Sequence, residues 1–308
     1  MHVTRARWEI TLVANNLAGR GVPDLLGPRL QYLFPQSRIS WIEWGSDSWE
    51  WLTQRTGAQC DLLIAGGGDG TVSACAEIAT KTKVPLAILP LGCLNLTARS
   101  FGIPRDVSRA LLVAATGKIV NVDLGIINGH TFAFAAALGP ISSVITRPTP
   151  YLKRRAPALA YVWPTMRSAL TRPVRVRIEV DDLPADEEFE AVHGILIGNF
   201  CQFATVLRNW PAANFRDGIM EIAVLRLSRH GAFTRPVARA NDCGRVEWLQ
   251  GSRIEVLCES AQPYQRDGQA GGCATEVSIE IARGALRLVV PETPKTALWR
   301  SVVDMLAD

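Results

Sequence analysis

A glycine cluster that follows an apolar run contains the residues most capable of chemistry. The run at 62–65 leads into Gly66-Gly67-Gly68-Asp69-Gly70-Thr71, and helically spaced apolar residues follow. A strand, a glycine turn and a helix bring backbone N–H groups and a helix N-terminus to one point, where phosphate binds well. Glycines would allow positive φ angles and a close approach of phosphate. The carboxylate of Asp69 repels phosphate, so we expect it either to face a divalent cation or to handle a proton.

Two later segments add to this pattern. Residues 84–104 predict a second strand, turn and helix, with Pro90-Leu91-Gly92-Cys93-Leu94-Asn95 at the turn. Near the C-terminus, Asp267-Gly268-Gln269 follows a strand-like segment. One glycine run is weak evidence for phosphate binding, because glycines after a strand often only make a tight turn. Three motifs in a fixed order are much more specific.

Together the three motifs resemble those of the diacylglycerol kinase and sphingosine kinase superfamily, and within it the bacterial soluble lipid kinases. That family carries GGDGT, then a segment with Pro-Leu-Gly-Thr, Asn-Asp and Ala-Arg about twenty residues on, and a late Asp-Gly-Glu. A predicted hairpin at 277–291 also matches, and the resemblance begins at the strand at 9–14. It implies an ATP-dependent kinase that phosphorylates a hydroxyl of diacylglycerol or a similar lipid.

The resemblance also implies a role for each candidate site residue. Asp267 matches the proposed general base for the lipid hydroxyl, and Asp69 is the competing candidate. Asp217 and Asp123 match carboxylates of the network that holds Mg²⁺. The implied nucleotide-binding residues are Gly66, Gly67, Gly68, Asp69, Gly70, Thr71, Gly92, Asn95 and Asn15.

Several positions depart from the family pattern. Cys93 stands where the family has Thr, Leu96 and Asn214 where it has carboxylates, and Gln269 where the late motif has Glu. The intact glycine loop and Asp267 favour an active enzyme. Two alternatives stay open: a kinase for a soluble substrate, such as NAD kinase, which shares the glycine loop, and a nucleotide- or lipid-binding regulator that has lost turnover.

The composition is that of a globular protein with reduced thiols. The chain has 308 residues, 48% hydrophobic and 20% charged, which is enough for two domains. Seven cysteines without a CxxC pair predict neither a disulfide framework nor a zinc site. The uncharged stretch 124–146 could span a bilayer, but Gly139-Pro140 interrupts it, and we predict a buried strand at 131–137. We expect a cytoplasmic protein that associates peripherally with membranes.

Basic residues are concentrated in a stretch without any acidic residue, between Asp123 and Glu179. Interleaved with aromatic residues, they suit transient contact with an anionic membrane surface, where the lipid substrate lies, although a solvated helix face is the alternative. Nothing else in the sequence indicates nucleic acid, and a homodimer stays open. The basic residues are Arg147, Lys153, Arg154, Arg155, Arg167, Arg172, Arg175 and Arg177.

The order of elements predicts two domains. Strands and helices alternate over residues 1–123, and the last helix is capped by Asp106 and ended by Gly117. This alternation predicts a doubly wound parallel sheet of the α/β class. The family resemblance implies that this domain binds ATP. Period-two strands follow, with a hairpin turn at Arg283-Gly284, and predict a C-terminal antiparallel β-sandwich at 124–294. We expect the tail at 295–308 to return to the first domain.

Overall fold

The structure is a computed structural model that describes residues 7–16, 18, 26–43, 60–93, 95–142, 172–181, 187–198, 214–227 and 244–292. Its described residues divide into two compact units, one up to Asn121 together with those from Leu286, and one from Val122 to Ala285. The predicted second domain extended to residue 294, whereas residues 286–290 belong to the first unit. The predicted tail at 295–308 lies outside the described residues.

The first unit is built on a parallel sheet with the spatial order β2-β1-β3-β4. Every residue of the inner strand β3 is buried, as expected for a parallel strand covered on both faces. The strands are β1 (Glu9–Ala14), β2 (Arg38–Glu43), β3 (Leu62–Gly67) and β4 (Leu86–Pro90), and the helices are α1 (Leu26–Leu33), α2 (Asp69–Thr82), α3 (Leu96–Ser100) and α4 (Val107–Thr116). The predicted doubly wound parallel sheet is confirmed.

Local sequence signals explain where these helices begin and end. The Asp106 side chain accepts a hydrogen bond from the Arg109 N–H at 2.9 Å and so caps α4, while Gly117 ends the helix, both as predicted. Helix α2 buries its apolar face on β3 and β4 and ends at Lys83, whose φ is 60°. Helix α1 packs against α4. Because β1, β3 and β4 are parallel, the loops that follow them all lie at the carboxyl edge of the sheet.

The second unit is an antiparallel β-sandwich. Strand β13 joins its two layers, since its first half pairs with β8 and its last residues pair with β7. Apolar side chains from both layers form one core cluster, for example Ile178 and Ile254 from one layer and Ile197 and Ile222 from the other. The strands are β5 (Lys118–Ile127), β6 (His130–Phe132), β7 (Ala135–Leu138), β8 (Val174–Val180), β9 (Glu187–Val192), β10 (Gly194–Gly198), β11 (Met220–Leu227), β12 (Gly244–Gly251), β13 (Arg253–Arg266) and β14 (Gln269–Val290).

The predicted hairpin turn at Arg283-Gly284, within 277–291, is wrong. Strand β14 runs without a break from Gln269 to Val290, and Gly284 lies inside it with a φ of 57°. A glycine within a strand often marks a local distortion rather than a turn, and here the Gly284 N–H donates to Asp123. The hairpin turn lies instead at Asp267-Gly268, where φ values of 46° and 82° suit a two-residue type I′ turn.

The described part of the uncharged stretch, 124–142, is divided between the end of β5, β6, β7 and a turn at Gly139, where φ is 88°. The predicted buried strand at 131–137 is therefore two short strands, β6 and β7. In the part of the chain that the structure describes, no helix is long and apolar enough to cross a membrane. Most of the basic stretch lies outside the described residues. Of its described members, Arg175 and Arg177 form ion pairs with Glu190 and Glu188 across β8 and β9, at 3.0 and 3.2 Å.

Candidate active site

The glycine loop lies where the strand order of the parallel sheet reverses. Strand β1 has β2 on one side and β3 on the other, and open α/β sheets bind ligands at the carboxyl ends of strands at such a point. Asn15 follows β1, and its backbone N–H donates to the Gly66 carbonyl at 2.8 Å. Its side-chain Nδ2 donates to the Thr71 hydroxyl at 3.1 Å. The structure thus joins Asn15 to the glycine loop, and the Thr71 side chain that accepts this hydrogen bond is buried.

The loop glycines have distinct roles, and the predicted need for positive φ angles is wrong. Gly66, Gly67, Gly68, Gly70 and Gly92 all have negative or extended φ values. A Cβ atom on Gly67 would collide with the Thr71 side chain, and one on Gly92 would collide with the Gly68 backbone. A Cβ on Gly70 would meet no atom within 4 Å. Gly67 and Gly92 are therefore required for packing, whereas Gly70 borders open space.

The N-terminus of α2 has the geometry of an anion site. Its N-cap is Gly68, with φ −90° and ψ −174°, and this residue has no side chain to accept from the first N–H groups of the helix. Those groups carry the positive end of the helix dipole. Asp69 begins the helix, and its Oδ1 accepts from the Thr97 N–H of α3 at 2.9 Å. Asp69 therefore connects the glycine loop to the second motif.

Asn95 shapes the turn after β4. It is buried with a φ of 49°, its Oδ1 accepts from the Gly92 N–H at 2.9 Å, and its Nδ2 donates to the Gly92 carbonyl at 2.7 Å. The same Nδ2 lies 3.4 Å from the Pro90 carbonyl. Because the amide is engaged by its own turn, Asn95 contributes to the site by holding Gly92 against Gly68.

Two arginines that the sequence analysis did not single out lie at this turn. Arg105 Nη2 donates to the Cys93 carbonyl at 3.4 Å. Burial lowers the pKa of Arg99, the nearby positive charge of Arg105 lowers it further, and Asp69 opposes both effects. For Arg99 the sequence does contain a signal, because Ala98-Arg99 matches the Ala-Arg pair of the family's second motif.

In the second unit, Asp267 holds the tip of the β13–β14 hairpin. Its Oδ2 accepts from the Ala133 N–H at 2.7 Å, and its Oδ1 accepts from the N–H groups of Phe134 and Ala135 at 2.8 and 2.9 Å. Its own N–H donates to the Ala135 carbonyl at 2.7 Å. A carboxylate has about four acceptor positions, and these hydrogen bonds occupy at least three of them. The structure adds this positioning role, and the role of Asp267 as a general base stays a prediction.

Asp123 and Asp217 occupy very different surroundings. Asp123 is buried, and its two oxygens accept from the N–H groups of Gly218 and Gly284 at 2.9 and 2.7 Å. Asp217 is exposed, and its Oδ1 accepts from the Ile219 N–H at 3.1 Å. The described residues contain no group of three or more His, Cys, Asp or Glu placed to hold a metal. Mg²⁺ commonly takes one or two carboxylates with substrate phosphates and water, which Asp217 fits better than Asp123.

Glu221 is a further acidic residue that the sequence analysis passed over. It lies on β11 and is only 2% exposed, and no described residue forms a hydrogen bond with its Oε2. Its neighbours in register are Gly198 on β10 and Gln250 on β12. Burial raises the pKa of Glu221 to about 7, with a further contribution from the charge of Asp217.

Solved structures share this fold. A diacylglycerol kinase from Bacillus anthracis is 20% identical with a TM-score of 0.65, and the match covers 92% of this chain and 97% of that one. An NAD kinase from Archaeoglobus fulgidus in complex with ATP is 13% identical with a TM-score of 0.55, covering 96% and 98%. At these identities the likeness concerns the fold alone.

Sequence comparison identifies the family. Residues 9–127 match the model of the diacylglycerol kinase catalytic domain. A diacylglycerol kinase of Bacillus subtilis is 27% identical over 245 residues, 75% of this chain and 78% of that protein. A "probable lipid kinase YegS-like" protein of Chromohalobacter salexigens is 30% identical over 267 residues, 83% of each chain. The chain therefore belongs to the lipid kinase family that carries the diacylglycerol kinase catalytic domain.

Proposed function

We propose that this protein is an ATP-dependent lipid kinase that transfers the γ-phosphoryl group to a hydroxyl of diacylglycerol or a related lipid. The observation that supports ATP use is the glycine loop at the reversal of strand order, with Asn15 bonded to Thr71 and the N-terminus of α2 free of a side-chain cap. Family membership supports a lipid acceptor.

Phosphoryl transfer depends mainly on positioning and on stabilisation of charge. The N–H groups at the start of α2 would bind phosphate oxygens, and Asn95 would keep the Gly92 turn beside them. Mg²⁺ bound with ATP would neutralise phosphate charge, with Asp217 as the described carboxylate that fits it best. Asp267 would take the proton of the lipid hydroxyl, and Asp69 is the competing base.

Incubation with labelled ATP and a panel of acceptors tests the proposal. We expect label in diacylglycerol or another hydroxyl-bearing lipid, and none in NAD. Label in NAD alone would indicate a soluble-substrate kinase. ATP binding without transfer to any acceptor would support the regulator that has lost turnover, for which Cys93, Leu96, Asn214 and Gln269 are the sequence evidence.

Gly70→Val supplies the matched variant for the nucleotide site. A Cβ atom at position 70 would meet no described atom within 4 Å, so the valine side chain begins in open space beside the glycine loop. We expect a folded protein with strongly reduced ATP binding, because the side chain occupies the space that phosphate needs. Unchanged ATP affinity in the folded variant would remove this loop as the nucleotide site. Circular dichroism and thermal unfolding check the fold.

Transient binding to an anionic membrane is the second part of the proposal, and it rests on the basic stretch in the sequence. Arg154→Glu combined with Arg155→Glu should weaken sedimentation with anionic vesicles while turnover of a short-chain micellar substrate survives. The control is Arg109→Glu with Arg287→Glu, the same charge change at two exposed arginines. Equal vesicle binding by parent and variant would favour a solvated helix face.

A further inference from the structure

The glycine loop lacks a full positive charge of its own. The backbone N–H groups at the start of α2 carry only partial charges, and Asp69 adds a negative charge at the same place. Nucleotide phosphates carry several negative charges, and sites for them usually include an arginine or lysine. A basic side chain close to the loop would therefore strengthen their binding.

The fold limits which basic residues can supply that charge. In a parallel sheet the carboxyl ends of the strands share one edge, and the glycine loop lies there. Arg38 begins β2 and Lys83 precedes β4, so these residues belong to the opposite edge. Arg99 and Arg105 follow the carboxyl end of β4, in the segment that begins with the Gly92 turn.

Contacts within the unit connect this pair to the loop. Asp69, the first residue of α2, accepts from the Thr97 N–H two residues before Arg99, and its charge acts on Arg99. Arg105 is fixed to the Cys93 carbonyl in the same turn. Arg99 is half-buried, and no described residue accepts a hydrogen bond from its guanidinium group. The positive charge of Arg105 and the negative charge of Asp69 thus both act on Arg99.

We infer that Arg99 binds the nucleotide phosphates at the glycine loop, with Arg105 holding the turn and adding positive charge. This inference rests on the proposed function. A phosphate beside Arg99 gives its planar guanidinium group an acceptor, which no described residue supplies. The lowered pKa of Arg99, caused by burial and then by Arg105, agrees with a site short of negative charge.

Titration of Arg99→Gln with adenosine, AMP, ADP and ATP tests the inference. We expect adenosine to bind as in the parent, and ATP to bind about 10- to 100-fold more weakly, as for loss of a hydrogen bond to a charged group. Arg99→Lys should recover part of the ATP affinity, because a lysine restores the charge without the planar fork. Arg287→Gln is the control, since Arg287 is an arginine of the same unit whose guanidinium group donates to the backbone carbonyl of Lys83.

The outcomes separate the inference from the proposed function. Parent-like ATP affinity in Arg99→Gln would overturn the inference and leave the proposed function standing. An equal loss of adenosine and ATP would also overturn it, because the residue would then only stabilise the turn. A parent protein that binds no ATP at all would remove the proposed function, and the inference with it.

Discussion

Replacement of the buried Glu221 by glutamine should make the protein more stable at alkaline pH. The residue is 2% exposed, and its Oε2 has no partner among the residues that the structure describes. Its pKa is raised to about 7 from 4.5, first by burial and then by the charge of Asp217. In the folded state the group binds its proton more tightly than in the unfolded chain. Its contribution to stability is therefore fully present below about pH 4.5 and is lost as the pH rises through about 7.

The size of the effect follows from the two pKa values. One pKa unit corresponds to about 1.4 kcal/mol, so the change from 4.5 to about 7 gives about 3 kcal/mol. Glu221→Gln keeps the shape and removes the titration. The free energy of unfolding of the variant minus that of the parent should rise by about 3 kcal/mol between pH 5 and pH 9. All other groups titrate in both proteins, so the difference isolates Glu221.

Urea unfolding followed by tryptophan fluorescence measures this difference at each pH. Glu188→Gln is the matched control, because Glu188 is exposed and paired with Arg177, and we expect no such pH dependence. Asp217→Asn should move the midpoint of the Glu221 titration to lower pH, since the Asp217 charge raises it. A difference between Glu221→Gln and parent that stays constant from pH 5 to pH 9 would refute the reasoning.

Three further predictions concern the roles of other site residues. Asp267→Asn should lose about 10² to 10⁴ in phosphoryl transfer and keep its ATP affinity, as measured by turnover and nucleotide titration; parent-like turnover would move the base to Asp69. Asp123→Asn replaces one carboxylate oxygen by an NH₂ group, so the N–H of Gly218 or of Gly284 loses its acceptor. The free energy of unfolding, measured by urea unfolding, should fall by about 1–3 kcal/mol. Gly67→Ala should destabilise the protein in the same assay while Gly70→Ala does not, because only the former collides with the protein, and equal stabilities would contradict that geometry.

Local and periodic features of the fold were predictable from the sequence. The cap at Asp106 and the end of α4 at Gly117 follow from short-range chemistry, and both are present. The alternation of strands and helices predicted the parallel sheet, because buried parallel strands are continuously apolar. The Arg283-Gly284 turn failed because an Arg-Gly pair has no strong turn preference, whereas the Asp-Gly pair at 267 and 268 forms the type I′ turn.

The family, the two-domain class and the position of the glycine loop after a strand could all be predicted from the sequence, since they depend on residue types in a fixed order. Only the tertiary structure showed which loop atoms already have partners. Asp69 is bonded to the Thr97 N–H, Asp267 to three N–H groups, and the Asn95 amide to the Gly92 turn. These contacts join positions up to 134 residues apart, and no local pattern encodes them. The burial of the Glu221 carboxyl group could not be predicted for the same reason. Burial depends on the elements that surround a residue and not on its neighbours in sequence.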